Sequence, residues 1–192
     1  MKAINNWNEV KEAGGEIMNL PAGGYICKIE KCEEKPNKYK GGTHLEILFD
    51  ITEGDYKGWF ADDWKRQDRE DKFWRGIIRQ NVPNEDSPKY DVQCGFFKRF
   101  INAVEAGNSG YHWDWNETGL KGKLIGVVFR EVERESAKGT RYMATQADSI
   151  TSVDAIRTGK FKVPAPKMME TPVASDAPTF TADDDLDGDL PF

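Results

Sequence analysis

Leu45, Ile47, Phe49 and Ile51 alternate with His44, Glu46 and Asp50. This two-residue period predicts a strand with one buried face, and Leu48 is the one apolar residue on its polar side. Before it, Asn5 or Asn6 can cap a short helix carrying Trp7, Val10 and Ala13, which Gly14-Gly15 would end. Pro21 to Gly24 reads as a turn, and Tyr25 to Cys32 as a first strand with partial alternation. After the second strand, Glu53-Gly54-Asp55 makes a turn and Tyr56 to Phe60 returns as a third strand. Residues 61–79 mix Trp64, Phe73 and Trp74 with charges of both signs and show no clear period; Phe73 to Ile78 is the best strand segment there. Ser87-Pro88 then supplies an N-cap and a first-turn proline. Phe97, Phe100, Ile101 and Val104 follow at i, i+3, i+4 and i+7, the apolar stripe of a helix that Gly107 ends. Tyr111 to Trp115 is extended or turning, with Trp113 and Trp115 on one side. Leu124 to Val132 is a near-continuous apolar strand, Glu133 to Gly139 a charged hairpin loop, and Arg141 to Ala147 the return strand. Residues 150–163 close the domain, and no internal repeat is present.

Three strands, a helix and two strands predict a mainly β fold with one or two helices, an OB-like five-stranded barrel. In that fold nucleic acid crosses strands 2 and 3 between the loops joining strands 1–2 and 4–5. Both loops are basic here, with Lys35, Lys38 and Lys40 in the first and Arg134, Lys138 and Arg141 in or beside the second. A chain of 192 residues with 38% hydrophobic residues suits one domain plus extensions. No apolar run approaches a membrane span and the N-terminus lacks a signal peptide's apolar stretch, so a cytosolic protein is expected. Cys27, Cys32 and Cys94 form no CxxC pair, which favours free thiols in a reducing compartment.

The net charge of −6 belongs to one end of the chain. From Pro164 onward there are seven acids and a single base, Lys167, whereas residues 1–163 hold 26 of each sign. Composition also shifts there to Pro, Ala, Ser, Thr and Met. The expected division is therefore a domain over 1–163, a disordered linker over 164–182 and an acidic tip over 183–192. In that tip Asp183, Asp184, Asp185, Asp187 and Asp189 precede Leu190, Pro191 and Phe192. A ring, a stiffening proline and a free carboxylate make a hook that a basic-rimmed apolar pocket can hold.

Asp-Leu-Pro-Phe after an aspartate run resembles the C-terminal tip of bacterial and phage single-stranded DNA-binding proteins, although the usual tip has Ile before Pro-Phe. The resemblance implies that the tip recruits replication and recombination enzymes: a helicase, primase, recombinase or nuclease. The body is similar to small early-region phage and prophage proteins of Gram-positive bacteria. That likeness rests on Leu20 to Tyr25, Gly95 to Ile101 and Leu120 to Gly126, and it implies a bacterial host cytoplasm. The body does not look like the ordinary bacterial single-stranded DNA-binding domain.

A binder of single strands needs cations along a groove and aromatic faces for unstacked bases. Candidate DNA contacts are Lys35, Lys38, Tyr39, Lys40, Lys57, Trp59, Trp64, Lys65, Arg66, Trp74, Arg75, Lys138 and Arg141. Any of these tryptophans can instead be a core residue, and the arginines can pair with neighbouring acids. Trp64 and Trp74, in a charged stretch, are the better stacking candidates. His44 and His112 are far apart and the cysteines unpaired, so no metal or other cofactor is expected. The reading is of a non-catalytic single-stranded DNA-binding protein whose oligomeric state the sequence leaves open. An adaptor that binds protein and not DNA is the alternative. A third reading is a Mg²⁺-dependent nuclease built on Asp50 and Asp55-Tyr56-Lys57.

Overall fold

Cys27 lies at the middle of a sheet, opposite Ile51 on one flank and Ile125 on the other. The computed structural model describes residues 19–38 and 41–169. Its strands are β1 (Gly23–Pro36), β2 (Thr43–Ile51), β3 (Ile77–Asn81), β4 (Leu124–Glu135) and β5 (Arg141–Thr151). Its helices are α1 (Trp59–Arg66), α2 (Tyr90–Gly107) and α3 (Val153–Arg157), with a 3₁₀ turn at Glu117–Leu120. The protein is therefore mainly β. The five strands form one open antiparallel sheet in the order β3-β2-β1-β4-β5.

The partial alternation of β1 has a physical cause. Its register with β2 shifts between Ile29 and Lys31, where Glu30 is the extra residue of a bulge. Cys27 and Ile29 face the core before the bulge and Cys32 faces it afterwards, so the inward parity switches from odd to even. In β2 the expected inward residues Leu45, Ile47, Phe49 and Ile51 are all buried. Phe49 packs edge-on against Phe60 at 5.6 Å and Phe129 at 6.0 Å. The stripe Phe97, Phe100, Ile101 and Val104 is buried as its spacing requires. The helix itself starts at Tyr90, because Ser87-Pro88 turns the chain first, with the Tyr90 N–H donating to the Ser87 carbonyl at 3.0 Å.

The expected third strand, Tyr56 to Phe60, is absent. Those residues turn and enter α1, and the strand paired with β2 is Ile77–Asn81. Asp50 explains the switch. It is buried although it sits on the nominally polar side of β2. Its carboxylate accepts from the backbone N–H groups of Phe60 at 3.0 Å and Ala61 at 3.3 Å, and so caps a helix whose own N-cap, Gly58, has no side chain. Gly58 makes the entry at φ 75°, a left-handed conformation that favours glycine. Two further boundaries move. Glu133 to Glu135 belong to β4, so the hairpin loop is shorter than expected. The chain also stays attached beyond Val163. β1 begins opposite Phe129, which leaves residues 130–135 of β4 without a partner on that flank. Residues 165–169 occupy the vacant flank in parallel: Lys167 N–H donates to Glu131 O at 2.9 Å and Glu133 N–H to Lys167 O at 2.8 Å. The capped helix expected near Asn5 lies outside the described residues.

Cys27 and Cys32 face the core, at 0% and 5% exposure, and burial pushes the Cys32 thiol up to about 12. Because the thiolate is the reactive form, a disulfide-exchange reagent at neutral pH should titrate Cys94 alone in the folded protein and all three thiols in denaturant. Two fast thiols in the native state would contradict this packing.

Candidate nucleic-acid interface

β3 and β5 are the two edges of the sheet, and they face each other. Their Cα atoms come within 8 Å, but no ladder joins them. A cleft of about 710 Å³ opens along this seam. One wall carries Trp59, Phe73, Trp74 and Arg75 from α1 and the segment that follows it; the other carries Tyr142 and Gln146 of β5. A second depression of about 320 Å³ shares Ile78, Arg79 and Asp148 with the first and reaches Phe96 and Arg99 on α2. A third, about 530 Å³, shares Asn81 and Gln93 with the second and reaches Lys38. The three form one trough along β3.

The aromatic wall is built from below. Gly76 lies against β2, its carbonyl accepting from Phe49 N–H at 2.8 Å. The Trp74 indole N–H donates to the Phe49 carbonyl at 3.0 Å, and its ring packs on the core. Phe73 is held by its backbone instead. Gln67 accepts from its N–H at 3.0 Å and donates to its carbonyl at 2.8 Å, leaving the ring 46% exposed. Arg69 and Arg75 lie 5.2 and 5.1 Å from the centroid of that ring. Lys72 covers Trp64 at 5.1 Å and Arg66 lies 5.7 Å from the centre of Trp59. Cations and π faces thus alternate over one surface. Across the cleft, Tyr142 is 47% exposed.

Several of these cations carry a carboxylate. Arg75 pairs with Asp63 at 3.2 Å and Arg79 with Glu46 at 3.0 Å. Glu46 also binds Lys35; these two hydrogen bonds hold its carboxyl below the usual range, and the same contact raises Lys35. Arg134 rests on the neutral Gln146 amide at 2.9 Å, so its charge is not offset there.

Of the residues expected from sequence, Trp59, Trp74 and Arg75 line the cleft and Lys38 lines the third depression. Trp59 and Trp74 pack against the core, so stacking faces are offered chiefly by Phe73, Tyr142 and the 42%-exposed Trp64. Trp64, Lys65 and Arg66 are exposed on α1, Lys65 pairing with Asp62 at 3.1 Å, and Lys57 is exposed in the turn before it. Lys35 is pinned by Glu46. Lys138 and Arg141 belong to the β4–β5 hairpin, Arg141 lying 3.8 Å from Glu133. Tyr39, Lys40 and the whole tip from Asp183 to Phe192 lie outside the described residues. Sequence reading left Phe73, Arg79 and Tyr142 out of the candidate site and named Arg134 only as a basic residue of the loop between the last two strands. The available signal for Phe73 was its place between Arg69, Lys72 and Arg75.

The carboxylate that a nuclease would aim at a cation, Asp50, is engaged by three backbone N–H groups, while Asp55 is exposed in the turn. Among the described residues no three His, Cys, Asp or Glu side chains converge as a metal site requires, and no helix is long and apolar enough to cross a membrane. No family model matches the chain and no curated protein matches it, so geometry and the residues themselves carry the functional reading.

Proposed function

We propose that this protein binds single-stranded DNA along the β3 trough, as a phage-type replication or recombination protein that recruits partner enzymes through its C-terminal tip. The observation that carries the reading is the trough itself. It combines exposed rings, Phe73 and Tyr142, with Arg75, Arg79 and Arg134 along a path wider than a single small-molecule site. Every base has a π face and every nucleotide a phosphate, so such a surface suits single strands of any sequence. The strand order also supports an OB-like fold: joining β3 to β5 would close this sheet into the OB barrel, with α2 in the position of that fold's helix between strands 3 and 4. The trough then follows the seam of the barrel. A mobility-shift comparison of single- and double-stranded DNA at two salt concentrations tests the reading. Preferential single-strand binding that weakens with salt is expected; no binding to either form would favour the protein-only adaptor.

The tip adds a second function. Residues 165–169 run parallel to β4 and direct the chain toward the hairpin that bears Lys138 and Arg141. The composition-based expectation of a linker followed by an acidic tip makes any encounter of the tip with the DNA-binding face intramolecular, and a short tether of that kind gives an effective concentration on the order of millimolar. Deleting residues 183–192 should strengthen single-strand binding at low salt and change it little at 1 M, where the Debye length is ~3 Å. Phe192→Ala removes no charge, so it should leave DNA affinity unchanged yet abolish pull-down of partner enzymes. Weaker DNA binding on truncation would place the tail in the DNA site.

A further inference from the structure

The middle depression of the trough has a wall that the sheet does not supply. Ile78 and Arg79 of β3 and Ile150 of β5 form one side, and α2 forms the other with Phe96, Arg99 and Phe100. Phe96 and Phe97 are consecutive on that helix and diverge. One helical step, about 100°, sends Phe97 into the core at 7% exposure and leaves Phe96 on the flank at 60%. Phe73 is shared by Arg69 and Arg75, whereas no ring or cation engages Phe96 among the described residues. Arg99 follows Phe96 at i+3, which makes the two neighbours on the helix surface. The helical neighbours of Arg99 at positions 95, 96, 102 and 103 are Gly, Phe, Asn and Ala, so no carboxylate offsets it from within α2. Arg75 and Arg79 both sit in ion pairs, but Arg99 makes none among the described residues. The one acid lining this depression, Asp148, is held by Arg130 at 3.2 Å.

We infer that the single strand leaves the sheet edges and crosses the flank of α2, where Phe96 stacks a base and Arg99 holds the adjoining phosphate. The inference rests on the single-strand reading of the trough. This depression is continuous with the cleft, sharing Ile78, Arg79 and Asp148 with it, so a strand lying against Phe73 and Tyr142 is led onto α2. Each nucleotide brings a flat base and a negative charge. A ring beside a cation that no carboxylate neutralises meets both. Exposure alone does not mark the site: Trp115 is 81% exposed yet lines none of the three depressions. The helix is then a second stacking station, and only strands long enough to span both stations gain from it.

The test is fluorescence anisotropy with oligo(dT) of roughly 5 and roughly 16 nucleotides, within the ~4–16 that one OB fold covers. It compares the full chain with Phe96→Ala, Arg99→Gln and Trp115→Ala, with thermal melts of all four forms to detect a folding defect. Phe96→Ala should weaken binding of the long oligomer at least about fivefold and change the short one little, because the cleft still holds it. Arg99→Gln should reduce the salt slope for the long oligomer by about 0.7, the release expected from one phosphate of a single strand. Trp115→Ala should change neither quantity. Long-oligomer affinity retained in Phe96→Ala, an equal loss at both lengths, or a salt slope unmoved by Arg99→Gln would overturn the α2 path and leave the single-strand reading standing. A matching loss in Trp115→Ala would also overturn the path. Failure of the wild type to bind either length would overturn the single-strand reading and this inference with it.

Discussion

Gly76→Ala should be the most damaging single-methyl change in the domain. A Cβ built there meets the Phe49 carbonyl oxygen at 2.3 Å and the Phe60 ring at 2.7 Å. Neither neighbour can withdraw cheaply. The Phe49 carbonyl is backbone of a central strand and already accepts from the Trp74 indole, while Phe60 is buried between Phe49 and Phe129. Relief requires β2 and the segment before β3 to separate, which breaks the 2.8 Å bond from Phe49 N–H to Gly76 O and tilts Trp74 out of the cleft wall. Overpacking a well-filled site costs roughly 1–3 kcal/mol, and the broken backbone bond adds about 1 kcal/mol. A loss of ~3 kcal/mol is a large part of the ~5–15 kcal/mol that holds a typical domain. Urea denaturation followed by tryptophan fluorescence checks it. Gly95→Ala is the control: it lies within α2 with open space around it, and should stabilise by ~0.5–1 kcal/mol. A Gly76→Ala protein as stable as the wild type would mean that β2 and Gly76 do not approach as described.

Phe73→Ala should separate binding from folding. The ring is half-exposed and its backbone is held by Gln67, so little packing is lost with it. If it stacks a base, its removal costs ~1–3 kcal/mol of single-strand affinity, or roughly 5- to 150-fold. Trp74→Ala behaves differently. That ring packs on the core and its N–H is bound to Phe49 O, so its loss should lower stability as well as affinity. Binding isotherms and melts of the two variants, taken together, decide the matter. A Phe73→Ala protein that binds single strands as tightly as the wild type would remove this ring from the interface.

The β2 face and the α2 stripe were legible because their periods are clean and one side is buried. β1 was half legible, since the bulge at Glu30 reverses inward parity in mid-strand. The error at α1 is instructive. Trp59-Phe60 after a Gly-Asp turn carries β-forming side chains, and only a carboxylate from another element, Asp50, tips these residues into a helix. A cap delivered from ten and eleven residues away leaves no local signature. The site suffered for the same reason. With Tyr56 to Phe60 read as a strand, the wall that Trp59 shares with Phe73 and Trp74 could not be anticipated. Arg79 and Tyr142, on different elements, line one cleft only because β3 and β5 approach each other. Lys35 looked like a free loop cation because its partner Glu46 lies across the hairpin.

The approach of β3 to β5 also bears on solubility. A sheet edge presents unpaired N–H and C=O groups that can template a second chain. Inserting a strand between two others requires about 4.8 Å on each side, or nearly 10 Å in all, whereas these edges come within 8 Å of each other. No additional strand fits at that point. The seam proposed to hold a single strand is thus too narrow there to recruit a neighbouring polypeptide strand, and at that point each edge shields the other from edge-to-edge pairing.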